Sequence, residues 1–95
     1  MPKAYLIARI RVHDKGGFET FKKMSTPLIS EYGGRLLARN SEVEIMEGDQ
    51  QGLVVLLEFD SMEKAKQFYF SDGYTAAKLV REQASEADLV LVEGV

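Results

Sequence analysis

In this 95-residue chain the side chains placed where they could do chemistry are arginines, tyrosines and one glutamate. Arg9 and Arg39 lie in two strand-like segments, and Glu58 lies in a third. If those strands are neighbours, the three form an Arg9–Glu58–Arg39 cluster. A planar guanidinium meets a carboxylate at two points. Such a cluster either satisfies itself or leaves one guanidinium to hold an anionic or carbonyl ligand. Tyr69, Tyr74 and Arg81 gather around an interruption in a helical region. Phenols beside an arginine position a substrate oxygen, or anchor a helix end by bonding to backbone. These six residues are the candidate ligand-binding set, and none is assigned a catalytic role.

Other residues offer less. His13, the one histidine, precedes Asp14, which could orient it as a general base. Its more ordinary role is an exposed loop histidine, and haem ligation would require it to point into a pocket. With no cysteine, disulfides and cysteine-ligated metal centres are excluded. Glu42, Glu44 and Glu47 read as a solvated strand edge without metal-ligand spacing. Gly16-Gly17 and Gly33-Gly34 fit neither of the glycine-rich phosphate-binding patterns. Ser25, Ser30, Ser41, Ser61, Ser71 and Ser85 lack a nucleophile elbow and a base. No metal and no cofactor is expected.

The elements that must position these groups follow from periodicity. Residues 4–12 alternate, with Ala4, Leu6, Ala8, Ile10 and Val12 on one apolar face and Tyr5, Ile7, Arg9 and Arg11 on the other. Asp14 to Gly17 reads as a turn. Phe18, Phe21, Ser25, Leu28, Ile29 and Tyr32 recur at helical spacing, predicting a helix over 17–32. Pro27 inside it predicts a kink, or two short helices with Thr26 capping the second. Arg35–Asn40 is a second strand, with Leu36 and Ala38 on one face and Arg35, Leu37 and Arg39 on the other. Residues 43–47 could extend it, and 48–52 form a hairpin loop. Leu53–Phe59 is the third strand, with Val54, Leu56 and Glu58 opposite its Leu53, Val55, Leu57 and Phe59 face. Ser61 caps a helix burying Met62, Ala65, Phe68 and Tyr69. A break at Ser71-Asp72-Gly73 leads to a helix over 75–84, offering Ala76, Leu79 and Val80, and a fourth strand over 87–93.

The order β-α-β-β-α-β reads as one ferredoxin-like α+β domain over residues 1–95. Four antiparallel strands in the order 4-1-3-2 carry helices on one face. The other face stays open and holds Tyr5, Ile7, Arg9, Arg11, Arg35, Leu37, Arg39, Val54, Leu56 and Glu58. From strand 4 it takes either Leu89, Leu91 and Glu93 or Val90 and Val92. A face this apolar marks an interface, so a homodimer through the open sheet face is expected. RNA binding there would need stacking aromatics on the central strands, and only Tyr5 offers one.

Composition agrees. The chain is 45% hydrophobic and 28% charged, as soluble globular domains are. The net charge of −3 argues against non-specific nucleic-acid binding. It hides a split. Residues 1–40 hold eight Lys/Arg and three Asp/Glu, and residues 41–95 hold four and twelve. In the order 4-1-3-2, acidic strands alternate with basic ones, which favours that order. No apolar run reaches the roughly 20 residues of a membrane span, and no signal core is seen, so the cytoplasm is the expected location.

Five segments match one family pattern: Tyr-Leu-Ile-Ala-Arg-Ile-Arg-Val at 5–12, Tyr-Gly-Gly-Arg-Leu-Leu-Ala-Arg at 32–39, Met-Glu-Gly-Asp at 46–49, Leu-Glu-Phe-Asp-Ser-Met-Glu-Lys-Ala at 57–65 and Leu-Val-Glu-Gly-Val at 91–95. Over essentially its whole length the chain resembles the small bacterial domain-of-unknown-function family 1330. The resemblance implies the dimeric α+β barrel superfamily, which includes cofactor-free monooxygenases, muconolactone isomerase-like enzymes, haem-degrading enzymes and stress-response proteins. It carries no established reaction, and its pocket positions are Arg39, Tyr69, Tyr74 and Arg81. The chain departs from the pattern at Phe68-Tyr69, where Trp-Tyr is usual, and at Ser71-Asp72-Gly73-Tyr74, where Ser-Pro-Glu-Tyr is usual. The second change removes a carboxylate from the expected pocket mouth. The resemblance and the residues together imply either a cofactor-free enzyme acting on a small aromatic or carbonyl compound, or a non-catalytic ligand-binding, regulatory or structural dimer. An acylphosphatase is a weaker reading, since its glycine-rich loop and paired arginine are missing.

Overall fold

The computed structural model describes residues 2–49 and 51–95. Gln50, in the expected hairpin loop, lies outside them. Strand β1 (Ala4–Val12) is central, and its even-numbered side chains Ala4, Leu6, Ala8 and Ile10 are all buried, as alternation requires. It pairs antiparallel with β3 (Leu53–Phe59) and with β4 (Ser85–Glu93), while β2 (Arg35–Asn40) pairs with β3. The sheet order is β2-β3-β1-β4, the expected 4-1-3-2 read from the other edge.

Helices α1 (Lys15–Glu31), α2 (Met62–Tyr69) and α3 (Asp72–Ala84) cover the apolar sheet face. Each starts at a side-chain cap. Asp14 accepts from the Gly17 N–H, Ser61 from Lys64 and Ser71 from Tyr74. Asp14 to Gly17 is therefore a helix start, not a free turn. The break between α2 and α3 is built by Ser71, whose Oγ donates to the Phe68 carbonyl at 2.7 Å while capping α3. Residues on both sides of Gly33 need a left-handed reversal there, and its φ of 75° provides it. Next to it Gly34 admits no side chain, because a Cβ would stand 2.7 Å from the Phe59 ring.

Several local expectations need correction. The helix α1 runs on through Pro27 and does not end there. Phe21 and Ser25 before the proline and Leu28 and Ile29 after it pack against one core, which outweighs the lost backbone bond. Residues 43–47 do not extend β2. Asn40 Oδ1 accepts the Glu42 N–H at 2.8 Å, a side-chain turn that diverts the chain. In α3 the buried stripe is Tyr74, Ala77, Arg81 and Ala84, while Leu79 is 60% exposed. An arginine, not a leucine, faces the core. Strand β4 begins two residues early, and its open-face residues are Glu86, Asp88, Val90 and Val92.

The change with most consequence is in β2. The register of β2 on β3 shifts between Leu36 and Ala38, so that Leu37 is a bulge. Arg35, opposite Glu58, stays on the open face, but Arg39, opposite Val55, turns to the helix side.

Candidate functional site

The candidate residues divide between the two faces of the sheet. On the open face Glu58 meets Arg35, not Arg9 or Arg39. Arg35 Nε donates to Glu58 Oε1 at 2.9 Å and Tyr5 OH donates to Glu58 Oε2 at 3.1 Å. Arg35 Nη2 also reaches Asp60 at 3.0 Å, which Lys3 approaches at 3.5 Å. The Arg35 hydrogen bond holds the Glu58 and Asp60 carboxyls below their usual range. Arg9 lies 3.6 Å and Arg11 3.1 Å from Asp88 on the next strand. The expected Arg9–Glu58–Arg39 cluster therefore does not form. Two ion networks, a balanced one of Lys3, Arg35, Glu58 and Asp60 and one with two arginines on Asp88, border the apolar Ile7, Val54, Leu56, Val90 and Val92 patch.

The helix face is different. A cleft of about 50 Å³ opens between α1, α3 and the sheet. Its walls are apolar, with Leu6, Ile10, Phe18, Leu57 and Phe68 prominent, and Arg39, Tyr74 and Arg81 also line it. Tyr74 and Arg81 are seven residues apart on α3, two helical turns, so they share one face. Both are buried, at 3% and 5% exposure. Arg81 Nη1 donates to the Tyr74 hydroxyl oxygen at 2.6 Å. The guanidinium carbon stands 5.6 Å from the Phe21 ring centroid and 5.9 Å from that of Tyr74. Arg81 Nε is buried with no hydrogen-bond partner among the described residues.

Burial pushes the Tyr74 phenol up to about 12, with Arg81 opposing the rise. The phenol is therefore protonated at neutral pH. Its oxygen accepts from Arg81, and its own proton remains available to a ligand oxygen. Arg39 is exposed and, with Lys22 and Thr26, lines both the cleft and a shallow surface hollow that adds Lys23. Glu19 pairs with Lys22 at 2.7 Å, so Arg39 and Lys23 leave the mouth with a net positive charge. None of the residues lining the cleft is an aspartate, a glutamate or a histidine.

Tyr69 does not line the cleft. It packs behind Tyr74, with ring centroids 5.4 Å apart, under the Lys78 ammonium at 5.2 Å. His13 is exposed and its backbone N–H bonds to the Ala84 carbonyl. Gly73, where the resemblance implied a carboxylate, packs on Leu28, whose Cδ2 would lie 2.9 Å from an added Cβ. Sequence reasoning missed Ser25 and Thr26 of α1 as cleft residues. The signal was Ser25 itself, a polar residue between Phe21 and Leu28 in an otherwise apolar stripe. Among the described residues no group of three or more His, Cys, Asp or Glu is placed to hold a metal ion. No helix among them is long and apolar enough to cross a membrane.

A four-stranded antiparallel sheet, helices on one face and an apolar cleft between them define a ferredoxin-like α+β protein. The chain belongs to the family described as domain of unknown function (DUF1330), whose profile matches residues 3–95. No curated protein matches it. Among solved structures, it is similar to a protein of unknown function from Rhodopseudomonas palustris, at 14% identity and TM-score 0.74, covering 99% of this chain and 83% of that one. It is similar to SnoaB, a cofactor-independent oxygenase from Streptomyces nogalater, at 12% identity and TM-score 0.72, covering 97% and 92%. A dimeric ferredoxin-like protein of unknown function from Thermobifida fusca matches at 13% identity and TM-score 0.67, covering 97% and 91%. At these identities the likeness is one of fold.

Proposed function

We propose that the chain works in the cytoplasm as a homodimer joined through the open sheet face. Each protomer acts, without a cofactor, on a small aromatic or carbonyl compound in its helix-side cleft. The observation that carries this is the buried Arg81–Tyr74 pair in an apolar cleft without a carboxylate. A protonated phenol whose oxygen is held by a guanidinium is a strong hydrogen-bond donor. In a site shielded from water it stabilises an oxygen that gains negative charge, as an enolate or phenolate does. Ring-like apolar walls hold the rest of the molecule. The cofactor-independent oxygenase activity of SnoaB supports the reading at the level of fold. The description of the Thermobifida protein as dimeric supports the homodimer, as does the patch of Ile7, Val54, Leu56, Val90 and Val92.

A second reading, ligand binding without turnover, is favoured by one observation. No residue of the cleft is a carboxylate or histidine able to take a proton near neutral pH. A panel of small phenols, ketones and lactones separates the two, with oxygen uptake, ultraviolet spectra and melting temperature measured together. Turnover that falls about a hundredfold or more in Tyr74→Phe supports the enzyme. A thermal shift without turnover supports the binding module. Neither effect with any compound would count against both.

A further inference from the structure

Every ion pair among the described residues involves a cation other than Arg81. Arg81 is nevertheless one of the most deeply buried polar residues of the chain. A guanidinium carries five N–H donors in a fixed plane. One is used on Tyr74, and Nε is buried and unused. Leaving a charged donor buried and unpaired costs several kcal/mol in general. Arginine also fills the position badly as a mere spacer, since the neighbouring wall residues are apolar. The arrangement makes physical sense if something else completes it.

We propose that a small carboxylate completes it, entering the cleft acid-first and taking two parallel hydrogen bonds from Arg81, Nε and the Nη2 beside it. This rests on the reading of the cleft as a ligand site and specifies its ligand class. Three features select a carboxylate. The fork of a guanidinium matches the two oxygens of a carboxylate, and the resulting pair is stronger and more directional than a neutral hydrogen bond. The cleft is small and mostly apolar, at about 50 Å³, so it suits a few-atom acid or the acid end of a longer one better than a fully hydrated phosphate. At the mouth Lys22 is paired with Glu19 at 2.7 Å, and Arg39 and Lys23 remain to draw anions in and discourage cations.

The test compares acids with neutral molecules of the same shape. The full chain, in a carboxylate-free buffer at constant ionic strength and pH 7, is titrated with acetate, butyrate and benzoate. Butyramide, benzamide and inorganic phosphate serve as controls. Calorimetry and melting temperature are the readouts. The proposal expects saturable binding of at least one acid, at least tenfold weaker binding of its amide, and no competition by phosphate. Arg81→Met should abolish acid binding, and Arg81→Lys should weaken it at least tenfold, because an ammonium cannot reproduce the fork. Arg9→Gln, on the opposite sheet face, should bind as the parent does. If Arg81→Met fails to fold, Arg81→Lys carries the test. Amides binding as well as acids, phosphate competing equally, or both Arg81 variants binding acids unchanged would each overturn the carboxylate assignment while leaving the cleft a ligand site. Binding of no acid, no amide and none of the phenols or ketones named above would overturn the cleft itself.

Discussion

Tyr74→Phe is the most informative single change, because it takes one oxygen from the pair and nothing from the packing. The ring keeps its contacts with Phe21, Phe68 and Tyr69 at 6.2, 4.6 and 5.4 Å between centroids. What is lost is the 2.6 Å bond from Arg81 Nη1. With Nε already unpartnered, the guanidinium would keep no protein acceptor. A hydrogen bond to a charged group is worth roughly 1.5–3 kcal/mol, and a domain of this size shifts its melting point about 4–8 °C per kcal/mol. Tyr74→Phe should therefore melt on the order of 10 °C lower. Arg81→Met is the counterpart. It removes the desolvated charge, keeps an apolar contact with the two rings, and leaves one phenol without its donor. These effects oppose one another, so its stability should stay within about 1–2 kcal/mol of the parent. The double variant, with both polar partners gone, should be at least as stable as Arg81→Met and clearly more stable than Tyr74→Phe. Urea denaturation at pH 7 in carboxylate-free buffer measures all four proteins as one cycle. If Tyr74→Phe is silent and Arg81→Met costs more than about 3 kcal/mol, the guanidinium is an ordinary structural element and the reasoning fails.

The open sheet face gives a prediction about assembly. Val90, on the edge strand β4 beside Ile7 of the apolar patch, is 56% exposed, so Val90→Asp should turn a dimer into a monomer in sedimentation while the far-ultraviolet circular dichroism stays unchanged. A parent chain that sediments as a monomer would refute the interface. The alkaline limb gives another. The Tyr74 phenol sits at about 12 when folded, above its ordinary value of 10.0. Above pH 10 the unfolded chain loses this proton before the folded one does, so stability falls as pH rises from about 10 to 12. The loss should be about 2–3 kcal/mol. The ultraviolet absorbance of phenolate should show this tyrosine ionising last or only on unfolding, and the limb should be shallower in Tyr74→Phe.

The strands were readable because alternation is a local signal. Ala4 to Ile10 announce their buried face without reference to anything else, and Glu58 correctly announces an open-face acid. The charge split also translated into geometry, with Asp88 reaching Arg9 and Arg11 across β1 and β4. What failed was parity carried across an irregularity. One extra residue at Leu37 is invisible in a pattern of two leucines and an alanine, yet it moves Arg39 from the open face to the cleft mouth. It also leaves Arg35 as the partner of Glu58. The grouping of Tyr74 with Arg81 was legible at the break in the helix, but the depth of Arg81 was not. Periodicity assigns inward positions by hydrophobicity, so Ala76, Leu79 and Val80 were the expected buried stripe of α3. A helix that buries Arg81 and exposes Leu79 contradicts that rule, and violations of local rules concentrate where function demands them.

The two faces of the sheet divide the tasks in a way that bears on stability. A domain of about this size buries a modest fraction of its chain, so an unpaired guanidinium in the helix layer is a serious cost for it. On the opposite face Ile7, Val90 and Val92 leave apolar surface in water, and covering it in the proposed dimer would supply free energy that the isolated fold lacks. Because β1 and β3 separate the two, dimerisation can stabilise the protein without touching Arg81 or Tyr74. Carboxylate binding can then relieve the cleft without altering the interface. It follows that acids should raise the melting temperature of Val90→Asp by the same increment as that of the parent, at equal saturation. An increment that vanished with the dimer would mean that the second protomer contributes to the cleft.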